Sequence, residues 1–144
     1  NLMCLGVGSE PSSVSTKNEI TLGNASVTTL RCADTSIASL SDSRDKTNVS
    51  DSTYGLNFID SIRPVQFTWN TRGGSSKDGS ERIGFIAQDL QTAMPNNEND
   101  ILDLVYDANP DKLEVKQGNL IPILVKAIQE LKAEVDALKA AAGN

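Results

Sequence analysis

The last quarter of the chain carries the pattern that most restricts what it can fold into. Ile121, Leu124, Ile128, Leu131, Val135, Leu138 and Ala142 follow one another at spacings of 3, 4, 3, 4, 3 and 4. An α-helix turns once in ~3.6 residues, so this spacing draws a single apolar line along a helix, the heptad seam of a coiled coil, with Ile or Val at a and Leu at d. Glu134 at g and Lys139 at the following e are placed to pair across an interface. Asn119 stands where a cap belongs, and Pro122 falls in the first turn, where a missing N–H costs little. The e and g positions hold Val125, Ala127, Lys132, Glu134, Lys139 and Ala141, so the stripe is wide at the start and narrow later. The pattern predicts a helix from 119 whose first two turns pack on a globular part and whose remainder self-associates. A single amphipathic helix lying on its own domain is the alternative. Stoichiometry is open at this level, since this choice at a and d by itself suits a parallel dimer.

A chain of 144 residues normally makes one domain, yet its composition changes near residue 40. Residues 1–40 contain Lys17, Arg31, Glu10, Glu19 and Asp34 as their charged groups, with Ser, Thr, Ala and short apolar runs between them. Ile20 and Leu22, then Val27 and Leu30, flank Gly23-Asn24 and read as short β-segments around a tight turn. Forty such residues enclose no core, so the segment needs neighbours, either copies of itself or an upstream shaft.

Helix signals and charge increase after Ser41. Ser52-Thr53 is placed to cap a short helix with Leu56, Ile59 and Ile62 on its apolar face, ended by Arg63-Pro64, because the residue before proline is driven out of the helical region. Val65, Phe67 and Trp69 alternate with polar residues as one face of a strand. Thr71 to Ser80, lacking apolar residues and holding three glycines, reads as a flexible loop. Ile83 to Ile86 resumes a strand, and Ala87 to Met94 reads as a helix stopped by Pro95. Leu102, Leu104 and Tyr106, then Leu113 and Val115, flank Asn109-Pro110-Asp111 as a β-hairpin. The acidic residues Glu98, Asp100, Asp103, Asp107 and Asp111 lack calcium-loop spacing and read as a solvated face, so no metal site is expected. The fold class is thus α+β: a small mixed domain of short helices and hairpins, a β-structured segment before it and a long helix after it.

Composition closes several functional classes. The chain has 13 Lys plus Arg, 19 Asp plus Glu, a net charge of −6 and no histidine. A phosphate-binding surface needs clustered cations, so no nucleic-acid partner is expected. Without imidazole there is neither a Ser-His-Asp nor a Cys-His catalytic arrangement, and a catalytic base must be Lys, Asp, Glu, Tyr or Cys. Cys4 and Cys32 make no disulfide framework and too few thiols for structural zinc. No run approaches the ~20 apolar residues of a bilayer span, so no membrane partner is expected. No cofactor is implied.

The remaining chemical candidate is Ser41-Asp42-Ser43-Arg44-Asp45-Lys46, at the change in composition. A serine hydroxyl becomes nucleophilic when a base takes its proton, and lysine serves when burial or a nearby cation keeps it neutral. Arg44 is a candidate for that cation. Five positions along an α-helix separate the two side chains by about 140°, so Ser41 and Lys46 converge only in a turn, an extended bend or across subunits. By spacing alone, a polar, capped linker is the favoured reading.

Four ordered blocks extend this reading. They are Ser41-Asp42-x-Arg44-x-Lys46-x-Asn48-Val49; Gly55-Leu56-x-x-Ile59 with Arg63-Pro64-Val65-x-Phe67-x-Trp69; Gly84-Phe85-Ile86-Ala87-Gln88-Asp89-Leu90-Gln91; and Leu120-Ile121-Pro122-Ile123-Leu124-Val125-Lys126-Ala127-Ile128-Gln129-Glu130-Leu131. Together they resemble the peptidase S74 family, the C-terminal intramolecular chaperone domains of phage tail spikes, endosialidases and neck appendages. The resemblance implies a homotrimer, with Ile121, Leu124, Ile128, Leu131, Val135 and Leu138 as its coiled-coil seam, that guides folding of an upstream fibre and then cuts itself off. By position, Ser41 would be the nucleophile and Lys46 its base, with Asp42 and Arg44 in support and scission between Leu40 and Ser41. Residues 1–40 would end a trimeric fibre shaft, 41–118 would form the globular chaperone and 119–144 its coiled-coil helix. The fibre part would reside in the virion tail, after assembly in the host cytoplasm. A fibre tip that stays attached and binds a host receptor is the alternative, and a cellular, membrane-tethered use of the domain is a third. One residue departs from the family pattern: Asp45 stands before the lysine, where an apolar residue is common, and its charge favours the protonated amine.

Overall fold

Short β-pairs, three short helices and one long helix make up the computed structural model, which describes residues 1–34 and 36–143. Strand β1 (Leu2–Leu5) pairs in parallel with β2 (Glu19–Leu22), in the register Leu2 to Glu19 and Leu5 to Leu22. The expected turn at Gly23-Asn24 is present, with Gly23 at φ 79 and the Asn24 side chain accepting from the Ser26 N–H, but Val27 and Leu30 form no strand after it. Strand β2 takes β1 as its partner instead. The described residues of this segment are exposed or half-buried, and none of them belongs to the buried core.

The compact part begins with α1 (Leu56–Ser61). It starts later than Ser52-Thr53 predicts. Ser52 closes a local turn by accepting from the Tyr54 N–H, and the first helical N–H, that of Leu56, donates to Glu130 Oε2 at 2.7 Å. Ile62 leaves the helical region at ψ 147, one residue before Arg63, the position that Pro64 bars from the helical region. Strand β3 (Val65–Thr68) pairs antiparallel with β4 (Glu81–Gly84), and Phe67 and Trp69 meet edge to face. The intervening segment is more structured than its composition predicts. The Asp78 carboxylate accepts from the Thr71 N–H, the Thr71 hydroxyl and the Ser75 N–H, while Trp69 and Ser80 continue the ladder.

Helix α2 (Ala87–Ala93) stops before Pro95 as expected. Leu102 belongs not to a strand but to α3 (Asn99–Leu102), which ends at Asp103 in the left-handed region, a conformation that aspartate tolerates. Strands β5 (Val105–Tyr106) and β6 (Glu114–Val115) then form the expected hairpin. Phe58, Leu90, Met94, Leu102, Leu104, Val105, Leu120 and Ile123 meet in one core, with Leu90, Leu104 and Val105 fully buried.

Helix α4 (Leu120–Ala142) runs 23 residues, or about 35 Å at ~1.5 Å per residue. Asn119 does not cap it; its amide reaches back to the Asp103 carbonyl. The buried residues of α4 are Leu120, Ile123 and Ala127, so the face packed on the domain is displaced by one position from the predicted seam. Ile121 and Leu124 were expected to pack on the globular part, and both are exposed; Ile128, Leu131, Val135 and Leu138 are exposed with them. From Leu131 to Gly143 every residue is exposed, so the end of α4 projects from the domain. Among the described residues, no helix is long and apolar enough to cross a membrane.

Candidate functional site

Ser41 and Lys46 meet in the structure. Asp42 accepts a hydrogen bond from the Arg44 N–H at 2.9 Å and so caps a single 3-10 turn, Ser43–Asp45. That turn reverses the chain enough for Lys46 Nζ to donate to Ser41 Oγ at 2.7 Å. A tight turn is one of the geometries that five-residue spacing allows, and a continuous helix is not.

Arg44 is committed elsewhere. Its Nε lies 3.0 Å from Asp42 Oδ1 and its Nη2 lies 2.7 Å from Asp42 Oδ2, a two-point ion pair. The guanidinium and the adjacent Arg44 N–H hold the Asp42 carboxyl below its ordinary range. The pair braces the turn from outside, and the arginine's charge is balanced by Asp42 rather than left to act on Lys46. Among the described residues, no carboxylate forms an ion pair with Lys46, Asp45 included.

Ser41, Lys46 and Leu40 are all exposed, Leu40 at 94%. A hydrogen-bonded hydroxyl and ammonium in open water make a preformed but solvated pair. In general a lysine serves as a base only as the free amine, a form that removal of surrounding water favours.

Two contacts escape sequence reasoning. The first is the seat of Glu130 on α1, for which Gly55 leaves room: a Cβ at Gly55 would lie 2.7 Å from the Glu130 carboxyl carbon. Both residues lie within the four sequence blocks, but nothing in their spacing marks them as partners. The second joins the N-terminal segment to the β5–β6 hairpin. Glu19 Oε2 accepts from Ser12 Oγ at 2.6 Å and from Tyr106 Oη at 2.7 Å, and Asn109 Nδ2 donates to the Ser12 carbonyl at 2.8 Å. The Ser12 hydroxyl, then the Tyr106 hydroxyl and the Ser12 N–H, pull the Glu19 carboxyl down to about 2. Of the acidic residues in the 98–111 stretch, Asp103 pairs with Lys116.

Residues 41–97 match the family model of peptidase S74, described as the chaperone of endosialidase. The match begins at Ser41 and ends before α4. It supports an intramolecular chaperone role and a self-cleaving serine peptidase activity. No curated protein and no solved structure matches the chain.

Proposed function

We propose that the chain is a trimerising intramolecular chaperone of a phage tail fibre, which severs itself between Leu40 and Ser41. The observation that carries this reading is the 2.7 Å contact between Lys46 Nζ and Ser41 Oγ, at the first residue of the family match. In the reaction, Ser41 Oγ attacks the Leu40 carbonyl carbon while Lys46, as the free amine, takes the hydroxyl proton. The Leu40–Ser41 peptide bond breaks, the proton passes to the Ser41 nitrogen, and an ester remains. Water then hydrolyses the ester to a carboxylate on Leu40 and a free amino terminus on Ser41. Attack on a neighbouring chain's Leu40 balances identically. Asp42 and Arg44 act as positioning residues that hold the turn.

The exposure of the pair explains why cutting would wait for assembly. A single chain leaves Lys46 in water, and three chains packed along Ile121, Leu124, Ile128, Leu131, Val135 and Leu138 would bring surfaces that exclude it. The free seam and the projecting end of α4 support this use, since a contiguous exposed apolar stripe marks an interaction surface. In this reading residues 1–40 end the fibre, 41–118 form the chaperone and 119–144 set its register. Interwound fibre strands make non-local contacts between chains, so register must be supplied before those contacts reward closure. After the cut, the fibre is kinetically trapped in its assembled form.

Denaturing gels of freshly expressed protein beside Ser41→Ala and Lys46→Ala test the proposal. Pieces spanning 1–40 and 41–144 are expected from the parent and one intact band from each variant. An intact parent in material shown to be trimeric would sink the scission reading and leave an attached fibre tip.

A further inference from the structure

The N-terminal segment is not simply appended to the compact part. It touches the β5–β6 hairpin at two polar points, and both converge on Ser12 and Glu19. Tyr106, next to the fully buried Leu104 and Val105, aims its hydroxyl at Glu19 Oε2, and Asn109 in the hairpin loop reaches the Ser12 carbonyl. Ser12 completes the cluster by donating both its N–H, at 2.8 Å, and its hydroxyl to the same carboxylate. Lys116 lies 5.2 Å from the centre of the Tyr106 ring and ties that face of the hairpin to Asp103. Beside these contacts, the two parts enclose a crevice of about 570 Å³. The joint is therefore specific, charged on one side and incompletely packed.

We propose that this cluster is a latch, in which Tyr106 and Asn109 hold the fibre end by Glu19 and Ser12 until the chain is cut. The proposal rests on the scission reading for its release step and on the contacts alone for its closed state. While the chain is continuous, its two halves are tethered at an effective concentration on the order of millimolar, so a few polar contacts keep the latch shut. Scission removes the tether and leaves the same contacts to act between separate molecules. A polar joint of this size then opens on dilution. The cut acts as a release signal without any change in the latch itself.

Two measurements decide the matter. In the intact Ser41→Ala chain, amide exchange at Ser12 is compared with and without Tyr106→Phe plus Asn109→Ala. About a tenfold acceleration at Ser12 is expected, for the loss of ~1.4 kcal/mol of local protection. Unchanged exchange would overturn the latch, whatever the fate of the Leu40–Ser41 bond. In cut material bearing a C-terminal tag, the 1–40 piece should co-elute when concentrated and be lost on dilution. Tyr106→Phe plus Asn109→Ala should raise the half-retention concentration by about tenfold, for the same loss of contact energy. Equal shedding from parent and variant would also overturn the proposal. Absence of any cut piece would refute the scission reading, and the exchange measurement would still judge the closed state.

Discussion

The contact between Gly55 and Glu130 yields the sharpest test of how α4 is fastened to the domain. Helix α1 has no side chain of its own at its N-cap, and the Leu56 N–H depends on the Glu130 carboxylate 2.7 Å away. Removing an N-terminal cap costs about 0.5–2 kcal/mol, and hydrogen bonds to charged groups lie near ~1.5–3 kcal/mol. Glu130 is also partly solvated and pairs loosely with Lys126 at 3.5 Å. A cost of about 2 kcal/mol for Glu130→Ala is expected from these ranges. Gly55→Ala should cost nearly the same for an indirect reason. Its new Cβ would occupy the space of the carboxylate, whose flexible side chain would swing away and surrender the same hydrogen bond.

The two losses are one loss counted twice, so the double variant should also fall by about 2 kcal/mol rather than 4, an interaction energy of ~2 kcal/mol. Urea unfolding followed by Trp69 fluorescence, in a Ser41→Ala background and at one fixed protein concentration, reads the cycle. Additivity within about 0.5 kcal/mol would refute the shared origin. So would a harmless Gly55→Ala in the presence of Glu130. Glu130→Gln, which keeps an acceptor oxygen but loses the charge, should recover part of the stability.

Other expected outcomes concern the cut, the seam, the latch and the core. Lys46→Ala should slow appearance of the Ser41 amino terminus by about 10²–10⁴-fold, the usual contribution of a general base, as scored by mass spectrometry. Leu131→Asp should abolish both the trimer, by light scattering, and the cut; efficient cutting by a monomer would remove assembly control. The Glu19 carboxyl is depressed from an ordinary 4.5 to about 2, so its contacts contribute fully above pH 4.5 and fade as pH falls toward 2. An NMR titration of Glu19 should show that low midpoint in the parent and a rise toward 4.5 in Tyr106→Phe. Leu104→Ala, at a fully buried site, should destabilise by about 3 kcal/mol, and a loss under 1 kcal/mol would mean that the core lies elsewhere.

Sequence periodicity recovers the elements whose pattern is local. Val65, Phe67 and Trp69 alternate because one face of β3 is half-buried, and Pro64 and Pro95 end helices by sterics that need no tertiary partner. Ser41 and Lys46 stand out because histidine is absent and the composition changes beside them. The unread features are those whose partner lies far along the chain. The cap of α1 comes from 74 positions away, and Glu19 meets Tyr106 across 87. Strand β2 takes an upstream, parallel partner where its own turn residues advertised a downstream one. Asp78 orders its loop by acceptor geometry, which composition does not report.

The face of α4 is the most instructive case. Ile121, Leu124, Ile128 and Leu131 form one apolar stripe, while Leu120, Ile123, Ala127 and Glu130 form another, shifted by one residue and so by about 100° around the helix. Periodicity detects the combined width and cannot say which half the domain takes. The structure gives the domain the second stripe, in which Ala127 and the Glu130 cap replace large apolar groups, and leaves the heptad stripe uncovered from its first residue. If the proposed seam is used, two adjacent faces on one helix would remove competition between folding and assembly, because no seam residue would have to be withdrawn from the core to meet a neighbour. A chain would then fold its compact part first and offer a complete seam afterwards. The helix would then be fastened by Glu130 to the N-terminus of α1, with Ser41 and Lys46 preceding α1 in the same chain.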